Sequence, residues 1–158
     1  MTERGGIVKI STKGRYALRL MAELAHSQGD ACLPMKTISE HQGISEKYLE
    51  QIIRPLAKAG LVVGTRGPHG GYRLTREPQA ITVGEVLRLT EGDLAPVDCV
   101  SDASESACAK ADNCETMFVW RKMKEAVDQV VDSISVAELS AASCSAVDET
   151  VKRIQTLS

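Results

Sequence analysis

The sequence predicts a mainly α-helical chain with one small β-hairpin and a long helix in its second half. Three observations predict it. Apolar residues recur at i, i+3, i+4, i+7 in two stretches, Ala17-Leu20-Met21-Leu24 and Leu49-Ile52-Ile53-Leu56, which puts one apolar stripe on each of two helices. A turn-forming run, Gly67-Pro68-His69-Gly70-Gly71, separates two β-rich runs. Further on, Trp120, Met123, Val127, Val130 and Ile134 follow one another at steps of 3, 4, 3 and 4, the seam spacing of a helix that pairs with another helix.

The elements follow in order. Ser11-Thr12 offers an N-cap for the first helix, which Gly29-Asp30 should end. Pro34 to Gln42 makes about two helical turns, with Gly43 at its end and Ser45 capping the next helix. Two helices joined by a three-residue turn containing glycine form a helix-turn-helix. The outer face of the second helix carries Lys47, Glu50, Gln51, Arg54 and Lys58, and Pro55 should tighten its last turn. Leu61 to Arg66 and Tyr72 to Thr75 are the two strands of the hairpin. Thr82-Val83-Gly84-Glu85 is a capping box for a short helix that stops at Gly92, and Ser135-Val136-Ala137-Glu138 is a second one. The expected architecture is a winged helix-turn-helix plus a long dimerisation helix. Four segments are expected: 1–92 as the winged domain, 93–116 as a cysteine-bearing loop, 117–142 as the dimerisation helix with a short helix after it, and 143–158 as a tail.

The 158 residues are 43% hydrophobic and 25% charged, a globular balance. No apolar run approaches the ~18 residues of a membrane helix, and the N-terminus lacks a signal core. A cytoplasmic chain with reduced thiols is the expectation. The net charge of −2 hides an asymmetry: residues 1–90 hold 13 Lys+Arg against 8 Asp+Glu, and residues 91–158 hold 6 against 13. The basic half, with its helix-turn-helix and its Arg66-bearing hairpin, has the composition of a reader of double-stranded DNA. An aromatic content of 3% disfavours base stacking on single strands. His26, His41 and His69 accompany no recognisable nucleophile or acid pair, so no enzyme is expected.

Three strings, Lys9-Ile10-Ser11-Thr12-Lys13-Gly14-Arg15-Tyr16-Ala17, Ile44-Ser45-Glu46-Lys47-Tyr48-Leu49-Glu50-Gln51, and Gly60-Leu61-Val62 through Arg66 to Tyr72, together resemble the Rrf-two family of bacterial winged-helix transcription regulators. The similarity is to its iron–sulfur-cluster-binding, IscR-like members above all. It implies that Glu50 and Gln51 read bases, that Arg66 is the wing arginine, in minor-groove or phosphate contact, and that the long helix makes a homodimer on a palindromic operator. The candidate DNA contacts are Lys9, Thr12, Lys13 and Arg15; Ser45, Lys47, Tyr48, Glu50, Gln51 and Arg54; and Arg66, Gly67, Pro68, His69, Gly70, Gly71 and Tyr72. The candidate dimer seam is Trp120, Met123, Val127, Val130 and Ile134, widened by Phe118, Val119, Ala126 and Val131.

The acidic half holds Cys99, Cys108 and Cys114 in one polar loop, spaced C-x8-C-x5-C. Thiolates are soft ligands suited to iron–sulfur clusters or zinc, but the loop lacks the paired knuckles usual for zinc. The resemblance implies that these three hold a 2Fe-2S cluster, because family members that regulate cysteine metabolism lack them. The family's fourth ligands are replaced: Met117 stands where a histidine ligates in the iron–sulfur branch, and Arg15 where an aspartate ligates in another branch. Met117, Glu115, Cys144, an acidic loop residue or an exogenous thiol remain as the fourth ligand, while Cys32 reads as a buried packing residue. Two alternatives stand beside the cluster sensor. One is a cluster-free thiol-redox or cysteine-metabolism repressor of the same fold. The other, of a different class, is a metal-stabilised interaction or electron-transfer module.

Overall fold

Ser11 sets where the first helix begins. Its hydroxyl accepts from the Gly14 N–H at 3.3 Å, and α1 runs Thr12–His26. A computed structural model describes residues 10–27, 31–102 and 114–142 of the chain. Helices α2 (Met35–Gln42) and α3 (Glu46–Lys58) follow, with Pro34 and Ser45 at their N-caps. Gly43 ends α2 at φ 65°, a left-handed conformation that a β-carbon disfavours. The Ser45 hydroxyl accepts from the Tyr48 N–H at 3.2 Å and starts α3. Pro55 does not stop α3, which continues for three residues beyond it to Lys58.

The stripes on α1 and α3 face each other. Leu20, Met21, Leu49, Ile52 and Leu56 are each 0% exposed, and Ile38, Leu61, Ile81, Val86 and Val136 close the core around them. Burial of each such side chain contributes about 1.5–3 kcal/mol.

Strands β1 (Val62–Thr65) and β2 (Gly71–Leu74) pair antiparallel, with Val62 opposite Leu74 and Thr65 opposite Gly71. A third segment joins them. Leu33 and Tyr72 exchange both backbone hydrogen bonds, at 2.8 and 2.9 Å. A β-carbon on Gly71 would overlap the Leu33 carbonyl, so glycine there lets the segment before α2 lie against the wing.

Helix α4 spans Val83–Glu91, α5 Met117–Ser133 and α6 Val136–Ala141. The second expected capping box forms completely: Ser135 accepts from the Glu138 N–H at 3.1 Å and Glu138 from the Ser135 N–H at 2.8 Å. The first forms by half. Thr82 accepts from the Glu85 N–H at 3.1 Å, but the Glu85 carboxylate pairs with Arg76, a charged partner that outcompetes a single N–H. Val83 donates to the Ile134 carbonyl and Val136 to the Ile81 carbonyl, which stitches the α5–α6 junction to the start of α4. Through Val136, α6 enters the core against α1.

Helix α5 divides the expected seam between two faces. Val127 and Val131 turn inward onto Val83, Leu87 and Leu94, and Trp120 is half-buried. The outward apolar residues are Phe118, Val119, Met123, Val130 and Ile134, and Ile134 follows the helix as its C-cap. The spacing identifies an apolar helix but not which edge of a wide stripe its own subunit covers. Arg88 of α4 reaches Asp128 and Asp132 at 2.6 Å, and Lys124 reaches Asp128 and Asp102 at 3.0 Å. Among the described residues no helix is long and apolar enough to cross a membrane.

Partial burial opposes ionisation of Asp128, but its bonds from Arg88 and Lys124 outweigh that and hold its carboxyl below the usual value. A folded-state carboxyl held low contributes stability above the unfolded value of about 3.9 and loses it as pH falls through the folded one. Urea titrations between pH 5 and 2 should therefore show a smaller acid loss of stability for Asp128→Asn than for the wild type.

Candidate nucleic-acid interface

The buried stripe of α3 points its other face at solvent. Lys47, Glu50, Gln51, Arg54 and Lys58 are all exposed on it, as the sequence leads one to expect. These side chains are long enough to reach base edges and phosphates from a helix in a major groove. The fold brings the start of α1 beside them. Thr12 and Arg15 are exposed there, and Lys13 lines a shallow groove of about 400 Å³ with Gln51, Arg54, Pro55 and Lys58. Three cations thus border one groove, fitted to a phosphate backbone.

Aromatic contacts join α1 and α3. Tyr16 and Tyr48 meet edge to face, with ring centroids 6.1 Å apart, and the Arg19 guanidinium lies 5.2 Å from the Tyr16 centroid. Tyr48, expected among the DNA contacts, is half-buried in this contact, and Ser45 beside it is exposed as the cap of α3. At the wing, Arg66, Gly67, Pro68 and His69 form the exposed tip, closed by a bond from the Gly70 N–H to the Gly67 carbonyl at 2.9 Å. Gly70, Gly71 and Tyr72 are half-buried, and Tyr72 is held by Leu33. Lys9 lies outside the described residues.

Two of the thiols flank α5. Cys99 is exposed on a 3-10 turn, Asp98–Val100, that lies against α5. Cys114 is half-buried just before α5, with its sulfur 3.2 Å from the Thr116 hydroxyl. That hydroxyl and the N–H groups of Thr116 and Met117 lower the Cys114 thiol's pKa, favouring the thiolate. Glu115 is exposed, and Met117 is 7% exposed. Cys108 and Cys144 lie outside the described residues. Cys32 is half-buried rather than buried, its sulfur 3.5 Å from the Thr65 hydroxyl of β1. Among the described residues no three His, Cys, Asp or Glu side chains converge on one point. Cys99, on a turn packed against α5, and Cys114, just before that helix, are nevertheless unbridged thiols whose softness fits an iron–sulfur cluster or zinc.

A bond between distant segments escapes sequence reasoning. Glu91, at the end of α4, accepts from the Ser11 hydroxyl at 2.6 Å. No local pattern signals it, because the two residues are 80 positions apart.

A family model described as Rrf2, iron-dependent transcriptional regulator, matches residues 10–142. The chain belongs to the Rrf2 family. As an Rrf2 protein it is a DNA-binding transcription regulator with a winged-helix fold, and not an enzyme. Its relatives include the HTH-type transcriptional regulator CymR of Bacillus subtilis, 41% identical over 133 residues, 84% of this chain and 90% of that protein. The regulator IscR of Yersinia enterocolitica is 38% identical over 132 residues, 84% of this chain and 79% of that protein. Among solved structures, CymR, titled the global cysteine regulator of B. subtilis, superposes with a TM-score of 0.68 over 84% of this chain and 96% of that one. IscR of T. potens does so at 0.66, with 41% identity over 83% of this chain and 85% of that one.

The contacts expected of Lys13 and Glu50 differ in kind, phosphate against base, and so are separable. Lys13→Ala should weaken binding to all sequences alike and reduce the slope of log affinity against log salt by about 1, while Glu50→Ala should change base preference at one operator position and leave the slope alone. Titrations of DNA binding at several salt concentrations, on operator and scrambled duplexes, measure both.

Proposed function

We propose that this Rrf2 regulator is a homodimer on a palindromic operator, and that it senses iron–sulfur status, or redox or nitrosative stress, through a 2Fe-2S cluster held by Cys99, Cys108 and Cys114. The observation that carries the reading is the pair of unbridged thiols, Cys99 on a turn packed against α5 and Cys114 three residues before that helix begins. The lowered pKa of Cys114 supports ligation, since the thiolate is the ligating form. Met117 is buried, so its thioether belongs to packing, which favours Glu115 or Cys144 as the fourth ligand. The family description, iron-dependent transcriptional regulator, agrees with this reading.

The chain's own residues supply the response. A bound cluster would contribute a covalent clasp across the loop and one-electron chemistry. Asp93 holds the near side of that loop by accepting from the Ser101 hydroxyl and from the Ala95 and Asp102 N–H groups. Lys124 ties Asp102 to α5. The outward face of α5, with Phe118 68% and Val130 58% exposed, is apolar enough to seat a second copy. Pairing of two α5 helices would set two recognition helices the one helical turn apart, about 34 Å, that successive half-sites require.

A second reading, a cluster-free thiol-redox sensor, draws support from the likeness to CymR and from the exposure of Cys99. Anaerobic purification with assay of iron and sulfide separates the two. The cluster reading expects both elements in equal amounts and visible absorbance that Cys108→Ser abolishes. Full colour in a triple Cys99/Cys108/Cys114→Ser variant would remove the ligand assignment. For the dimer, Val130→Glu should convert the protein to a monomer in size-exclusion chromatography with light scattering, at unchanged helix content by circular dichroism.

A further inference from the structure

The last residue of α4 caps a different helix. Glu91 accepts from the Ser11 hydroxyl at 2.6 Å and from the Ser11 N–H at 3.2 Å, and Ser11 in turn caps α1. The carboxylate therefore fixes the side chain that starts α1, on the turn carrying Thr12, Lys13 and Arg15. The approach depends on the absence of a side chain at Gly14. Gly14 is buried, and a β-carbon there would fall on the Glu91 Oε1 and lie 3.0 Å from its carboxyl carbon. Beyond Glu91 the chain turns at Gly92, φ 83°, into Asp93, which accepts from the Ala95 N–H at 2.8 Å and the Asp102 N–H at 2.6 Å. Asp93 thereby closes the segment that holds the Cys99 turn. Two neighbouring carboxylates grip the two ends of the molecule's chemistry: one the DNA-facing start of α1, the other the thiol turn.

We propose that Glu91 is a positioning residue for DNA binding, which holds the phosphate-facing start of α1 and conveys to it the state of the turn carrying Cys99. The positioning half stands on the interface geometry; the conveying half rests on the thiol site put forward above. Glu91 can act in two ways of opposite sign. As a mere negative charge near the phosphate path it would repel DNA, and its removal would tighten binding. As a clasp on Ser11 it orders the contacting turn, and its removal weakens binding.

The test measures operator affinity of the full chain, with melting temperature alongside. In metal-free protein, Glu91→Ala should bind about fivefold more weakly. Gly14→Ala should lose about as much while melting no lower, because alanine is the better helix residue and its methyl displaces the carboxylate with the charge still present. The double variant should bind no more weakly than either single one, and Glu91→Gln should fall between Glu91→Ala and wild type. Tighter binding by Glu91→Ala, wild-type affinity in Gly14→Ala, or additive losses in the double variant would overturn the positioning role. A second arm compares each protein before and after reconstitution with iron and sulfide, with visible absorbance as the measure of loading, and after alkylation of the thiols with iodoacetamide. Loading or alkylation should change wild-type affinity, and the change should shrink to within about twofold in an equally loaded Glu91→Ala. An undiminished change there, or a wild type indifferent to both treatments, would overturn the conveying role. A wild type that takes up no iron and sulfide removes the cluster reading alone, since the metal-free and alkylation measurements still decide Glu91.

Discussion

Burial of α1 is the constraint on which the rest of the molecule depends. Ala17, Leu20 and Met21 are wholly covered, and the covering comes from every side: α3 and α2 on the reading side, β2 at the wing, α4 and α6 behind. Removing that stripe from water supplies the driving force that brings these elements together. It also decides the direction of everything exposed. Because α3 must turn Leu49, Ile52 and Leu56 toward α1, its long polar side chains have nowhere to go but outward. Because α1 lies across α3, its first turn arrives beside Arg54 and Lys58.

The net charge of −2 misleads because it sums a basic half and an acidic half. Arg15 of α1, Lys47, Arg54 and Lys58 of α3 and Arg66 of the wing tip are exposed. In the acidic half, several carboxylates are spent internally. Asp128 and Asp132 hold Arg88, Asp102 holds Lys124, and Asp93 ties its own loop. Exposed ion pairs of this kind stabilise weakly, about 0–1 kcal/mol each, so their consequence is orientation more than stability. They register α4 against α5, and with it the loop against the winged domain.

Much of the fold is legible in local pattern. Ser11, Ser45, Thr82 and Ser135 announce helix starts because a short side-chain oxygen can satisfy an otherwise unpaired N–H within its own turn. Gly43 announces a turn because its backbone needs the left-handed region. The candidate contacts on α3 and at the wing tip are legible for the same reason, since periodicity separates a buried stripe from an exposed one. The half-formed box at Thr82 shows the limit. Whether Glu85 turns back to its own cap or out to Arg76 depends on where a distant cation lands.

The sequence by itself determined the helix periods, their caps, the hairpin, the uneven charge and the presence of three cysteines in one loop, because each of these is set by residues within a few positions of one another. The tertiary structure alone decided which edge of α5 faces its own subunit, that Leu33 joins the wing, and that Glu91 reaches Ser11. Each of those depends on helices crossing at close range, and close approach is settled by packing of the whole core rather than by neighbours in the chain. The glycine at position 14 marks the difference: in sequence it is one small residue in a helix, and in space it is the gap through which α4 takes hold of α1.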